Sequence, residues 1–256
     1  MLKLEKATFL GNNTCSFNTE GLALSETVYH QKVYEGWHCH ESHHITFIIK
    51  GGNLEQRKHR EQQACPGSVL LYNSGELHRN THTQHPSKNI NLEIEDAFLK
   101  KYQLSFNIQL NDPGLRPAII RIWQETKIND SCSLPSIQAT VLQLLTTAAG
   151  GSTPPWVSQL RALLHDCWND TFSLQQLADT LHVHPVTISK HFPRYFSCTL
   201  GEYMRKVKID RSLALVRQPD RPLTGIAYEC GFSDQSHFTR TFKACTGLLP
   251  GQYRKL

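Results

Sequence analysis

The chain contains no run of about 18 apolar residues, the least that a membrane-spanning helix needs. Its opening segment, MLKLEKATFLGNNTCSF, lacks the apolar stretch of a secretory signal. A cytoplasmic location is therefore expected, with no membrane partner. The cysteines at 15, 39, 65, 132, 167, 198, 230 and 245 form no C-x-x-C pair, so the usual zinc and redox spacings are missing. In a reducing compartment the expectation is eight free thiols, several of them buried. No repeat runs through the chain apart from one doubled helical motif near its end.

An excess of charge is also missing from most of the sequence. Residues 1–156 carry 14 Lys+Arg and 14 Asp+Glu. Residues 157–256 carry 13 Lys+Arg against 8 Asp+Glu, so the whole net charge of +5 lies in this last part. A basic segment joined to a neutral one points to a polyanionic partner for the basic half.

What is present divides the 256 residues into two domains. Residues 1–112 read as β-rich, with short apolar runs such as His44–Ile49 and Ser68–Tyr72. Turn signals separate them at Gly51-Gly52, Cys65-Pro66-Gly67 and Asn73-Ser74-Gly75. From Asp112-Pro113 the period lengthens. Ile119, Ile122, Trp123 and Thr126 form one helical stripe, and Ile137, Val141, Leu144, Leu145 and Ala148 another. Residues 113–150 are thus a helical segment that covers the sheet domain, contacts a second subunit, or both. Ala149–Pro155, with two glycines and two prolines, is the expected linker.

Residues 157–256 read as all-helical. Ser173 and Gln176 have the spacing of a capping box that opens a short helix. Pro185 suits the first turn of the next helix, where its missing N–H costs nothing. Ile188 and Phe192 face a core, while Val186, Ser189 and Lys190 point away. A longer helix is predicted over Leu200–Val216. The pattern then recurs: a helix around Ile226–Cys230, a turn at Gly231, Ser233 as the expected cap, and a helix from Asp234 to about Cys245. Phe238 and Phe242 are its core positions, with Gln235, Ser236, Thr239 and Arg240 opposite. A helical bundle with a solvated polar face would explain either motif alone. Two copies on the basic domain instead point to paired helix-turn-helix motifs that bind double-stranded DNA.

Residues 231–254, GFSDQSHFTRTFKACTGLLPGQYR, resemble the signature of the AraC/XylS family of transcription regulators. The first motif departs from the family pattern at His182, His184 and Ser197, and the second at Gly225. The resemblance implies base contacts from Val186, Ser189, Lys190, Gln235, Ser236, Thr239 and Arg240. It also implies RNA polymerase as a partner and activation as the usual mode.

The N-terminal half resembles a cupin barrel. Gly36-Trp37-His38-Cys39-His40, His44 and Gly51 follow one cupin motif, and Asn73-Ser74-Gly75-Glu76-Leu77-His78 the other. His44 replaces the usual glutamate. His38, His40 and His44 share strand parity and so are expected on one side. With His78 they form either a divalent-metal site or the wall of a pocket for a small organic effector. His43, His59, His82 and His85 read as surface or loop residues. The leading expectation is an effector-controlled, non-enzymatic transcription regulator able to form a homodimer. The alternative is a cupin-type metalloenzyme with a helical appendage.

Overall fold

The computed structural model describes residues 2–146, 154–170 and 172–256. Ala148 and the glycine-rich part of the expected linker, 149–153, lie outside these. The described chain divides into two compact units, one of residues 1–108 and 122–139, the other of 109–121 and 140–255.

The first unit contains ten strands: β1 (Leu2–Leu4), β2 (Asn12–Thr19), β3 (Leu22–Tyr29), β4 (His38–His40), β5 (His43–Lys50), β6 (Asn53–Arg57), β7 (Arg60–Ala64), β8 (Val69–Tyr72), β9 (His78–Thr81) and β10 (Ser87–Ile94). They form two five-stranded sheets, ordered β1-β4-β9-β6-β7 and β2-β3-β10-β5-β8. The cupin-like barrel is therefore two sheets, with no closed ring of strands among the described residues. The reason lies at residues 41–42, where the chain leaves β4 in one sheet and enters β5 in the other. Side chains, not a continuous ladder, join the two layers.

The predicted turns have the required backbone. Gly51, Gly67 and Gly75 take φ of 74°, 92° and 73°, values open to glycine. β10 lies between β3 and β5 and is buried along most of its length. Its Asn89 and Asn91 face inward between the sheets. Asn91 donates to Thr27 Oγ1 and accepts from Thr46 Oγ1. On the opposite face Glu26 of β3 accepts from the Trp123 indole at 2.8 Å and pairs with Lys88 and Lys127.

Helix α1 (Asp96–Lys101) follows β10, then α2 (Leu115–Ile128) and α3 (Ser133–Thr146). The described members of both predicted stripes are buried, from Ile119 at 0% to Thr126 at 8% exposed.

The second unit continues with α4 (Pro155–Asp166), α5 (Leu174–Leu181), α6 (Pro185–Phe196), α7 (Leu200–Val216), α8 (Leu223–Glu229), α9 (Gln235–Thr246) and α10 (Pro250–Arg254). One apolar core joins Leu160 and Leu164 of α4, Leu177 and Leu181 of α5, Ile188 and Phe192 of α6 and Tyr203 and Val207 of α7. A second row of rings runs Phe232–Phe238–Phe242–Tyr253, with centroids 5.3–5.7 Å apart. α7 packs against α6 and also against α8, α9 and α10, so it connects both halves of the helical domain.

Among the described residues, seven cysteines are free thiols. Cys39 and Cys230 are buried.

A paired helix-turn-helix surface and a histidine-lined cavity

The first helix-turn-helix is α5–α6. Ser173 Oγ accepts from the Gln176 amide and the Gln176 side chain accepts from the Ser173 amide, which closes the predicted capping box. The turn then passes through His182 at φ 53°. This left-handed position costs a non-glycine residue about 1 kcal/mol. It directs the Val183 amide back to the Ala178 carbonyl and so closes the α5 end. His184 takes over the N-cap of α6: its Nδ1 accepts from the Val186 amide at 3.2 Å. The departures from the family pattern thus preserve the turn. An imidazole nitrogen replaces a hydroxyl as the capping acceptor, and Ser197 at φ 56° closes the other end of α6.

The second helix-turn-helix is α8–α9. Gly231 at φ 69° forms its turn, and the Phe232 amide returns to the Ala227 carbonyl. The N-cap of α9 is Asp234, whose carboxylate accepts from the His237 amide at 2.7 Å. This corrects the expectation for Ser233, which instead donates to Asp234. That carboxylate accepts backbone N–H groups at a helix N-terminus, so the Asp234 pKa is lowered. Arg254 fixes the far side of this motif by donating to the carbonyls of Val216 and Arg221 at 2.9 and 2.7 Å. No composition signal marks that role.

On α6, Val186, Ser189 and Lys190 are exposed, while Ile188 and Phe192 are buried beneath them. Val186 is 57% exposed. On α9, Gln235, Ser236 and Arg240 are exposed and Thr239 is half-buried. Gln235 Oε1 accepts from Thr224 on α8. Neither Lys190 nor Arg240 forms an ion pair among the described residues. Both outward faces therefore present hydrogen-bonding groups to solvent, and that of α6 adds the apolar Val186.

The predicted histidines meet in a cavity between the two sheets of the first unit. His38 and His40 lie on β4, and His78 lies on β9 directly opposite His38. His44 lies on β5 in the other sheet. Shared strand parity is therefore not what gathers them, because the chain changes sheets between His40 and His44. All four side chains nevertheless line one cavity of about 30 Å³. One ligand nitrogen from each of His38, His40 and His78 lies within 4.8 Å of the other two. His44 is outside this trio and stacks on Tyr72 at 4.4 Å. Nδ1 of His38 and of His78 lies 3.0 Å from a backbone carbonyl, of Gly36 and Glu76 respectively. A carbonyl only accepts, so each Nδ1 donates and each Nε2 keeps its lone pair.

Burial lowers the pKa of all four rings, with His40 at about 3 and His78 at about 4, so they are neutral at pH 7. Nδ1 of His40, and Oδ1 of Asn53, Asn80 and Asn89, are buried without a partner on the same cavity wall. His43, expected at the surface, is instead structural: it accepts from the Ser74 amide, lies 3.1 Å from Asp96 and stacks on Phe106.

Residues 21–165 match the family model for the AraC-like ligand binding domain, and residues 177–256 match a helix-turn-helix domain. The transcriptional activator RhaS of Enterobacter sp. (strain 638) is 23% identical over 241 residues, 85% of this chain and 87% of RhaS. The transcriptional activator RhaR of Mannheimia succiniciproducens is 22% identical over 85% of this chain and 86% of RhaR. A crystal structure of ToxT from Vibrio cholerae covers 92% of this chain and 98% of ToxT, at 13% identity and a TM-score of 0.40. With its sheet-rich N-terminal domain and its two helix-turn-helix motifs, the chain belongs to the AraC-like family of DNA-binding transcription regulators.

Proposed function

We propose that α6 and α9 are recognition helices that read adjacent major grooves of one promoter. The observation that carries this reading is the pair of exposed polar faces, each held by a buried aromatic row and both packed on α7. At about 1.5 Å per residue, the 17 residues of α7 span roughly 25 Å, of the order of one duplex turn of about 34 Å. Ser189, Lys190, Gln235, Ser236, Thr239 and Arg240 are the donors and acceptors for base edges and phosphates. Val186, apolar and outward, suits the methyl group of thymine. Arg240 has the chemistry for bidentate contact with a guanine. RNA polymerase is the protein partner in this reading, activation the mode and the cytoplasm the location. A homodimer is the assembly to test by sedimentation.

The N-terminal unit supplies control. An effector that binds one state of the protein more tightly shifts promoter occupancy by that difference in affinity. The metalloenzyme reading has the histidine trio in its favour, yet the residues lining the cavity include no carboxylate to act as general base. A turnover screen on metal-loaded protein separates the two readings.

The test is Arg240→Ala in the full chain. Specific binding should weaken by about 1–3 kcal/mol, with preference relaxed at one base pair. Affinity and sequence preference like those of the parent protein in a gel-shift titration would reject the assignment.

A further inference from the structure

Most small-molecule effectors need more room than the N-terminal cavity offers. Pockets for organic ligands usually measure about 300–1,000 Å³. The cavity between the sheets measures about 30 Å³, space for one or two water-sized bodies. It is nevertheless costly in polar groups. Nδ1 of His40 and Oδ1 of Asn53, Asn80 and Asn89 on its wall are buried without a partner, and a buried polar group left unpaired destabilises the fold. A small body that accepts a lone pair from nitrogen and brings hydrogen-bond donors to oxygen suits such a wall.

We propose that this regulator reads a divalent transition-metal ion, held by His38, His40 and His78. The inference rests on the effector-controlled regulation proposed above and names the effector. His38 and His78 are already oriented for it. Their Nδ1 hydrogens are spent on backbone carbonyls, which aims each Nε2 lone pair inward and fixes the tautomer. His40 is 4% exposed and its Nδ1 lacks a partner. Imidazole donors without a carboxylate suit Zn, Ni, Co, Cu or Fe better than Mg or Ca. Water held on the ion would give the unpartnered Asn53, Asn80 and Asn89 oxygens the donors that the protein does not supply. The trio leaves the ion's charge uncompensated, so hydroxide or another small anion suits the remaining positions.

The test uses untagged full-length protein, stripped with chelator and then exposed to cobalt(II) or zinc(II) alone. One ion per chain should remain through gel filtration by elemental analysis. Cobalt(II) should show the visible absorption of a nitrogen-ligated site. Nitrogen-15 spectra of the histidine rings should show Nε2 of His38 and His78 shifting on zinc addition, a readout that needs no variant. His40→Gln and His78→Gln should each lower affinity at least about tenfold, while His59→Ala on the surface should not. Retention of no ion, or unchanged binding in both variants, overturns the site. If the ion binds as described and specific DNA affinity stays within twofold, the ion is not the signal. If neither loaded nor stripped protein prefers a promoter fragment to random duplex, the DNA-binding reading fails, and the elemental analysis still decides the metal site independently.

Discussion

Glu93 sits on β10, 2% exposed, and its carboxylate accepts from the Ala7 amide at 2.9 Å. Burial pushes its pKa from an ordinary 4.5 up to about 7, assisted by Glu95 and opposed by the Ala7 bond and Lys6. The folded state thus binds this proton more tightly than the unfolded chain does. The stability contributed by the protonated form is complete below about pH 4.5 and is lost as pH rises through about 7. Each pKa unit is worth about 1.4 kcal/mol, so the ionised group costs roughly 2–3 kcal/mol at pH 8. Glu93→Gln keeps an acceptor for the Ala7 amide and carries no charge at any pH. The variant should be more stable than the parent protein by about 2–3 kcal/mol at pH 8, with the gap shrinking below about 1 kcal/mol at pH 5. Hydrogen exchange of the 87–94 peptide, read in the full chain with chelator present, measures the gap where it arises. An equal gap at both pH values, or a variant less stable at pH 8, would show that Glu93 is not the group that holds this proton.

Other expectations follow from the helical domain. Phe238 is fully buried between Phe232 and Phe242, so Phe238→Ala should cost about 3–5 kcal/mol and abolish DNA binding, read by thermal unfolding and gel shift. His184→Ala removes the α6 cap and should cost about 1 kcal/mol, with His184→Ser restoring it; equal melting of all three proteins would show that the imidazole does not cap.

Much of the helical domain was legible in the sequence because its signals are local. Ser173 with Gln176, Pro185 and Gly231 each act within a few residues of themselves, so their roles survive folding unchanged. The cap of α9 went to Asp234 and not Ser233 because a carboxylate at that position reaches the His237 amide. The sheet domain was harder to read. In β10 the alternation Asn89, Ile90, Asn91, Leu92 suggests one wet face and one dry face, yet both are buried: the asparagines face the cavity and the other face is covered. Helix α1, six residues long, is too short to show a period. The histidines stood out through their resemblance to the cupin motifs, but the change of sheet after His40 depends on long-range pairing that no local pattern encodes. The size of the cavity depends on how Tyr72, Leu70 and the asparagines pack together.

Cleavage protection of a promoter fragment by the full chain tests the two-helix interface most directly. Two protected patches on one side of the duplex, centred about 10 base pairs apart, are the predicted result. The patch assigned to α6 should fade in Lys190→Ala and the other in Arg240→Ala. A single patch, or one that both substitutions weaken alike, would contradict the account.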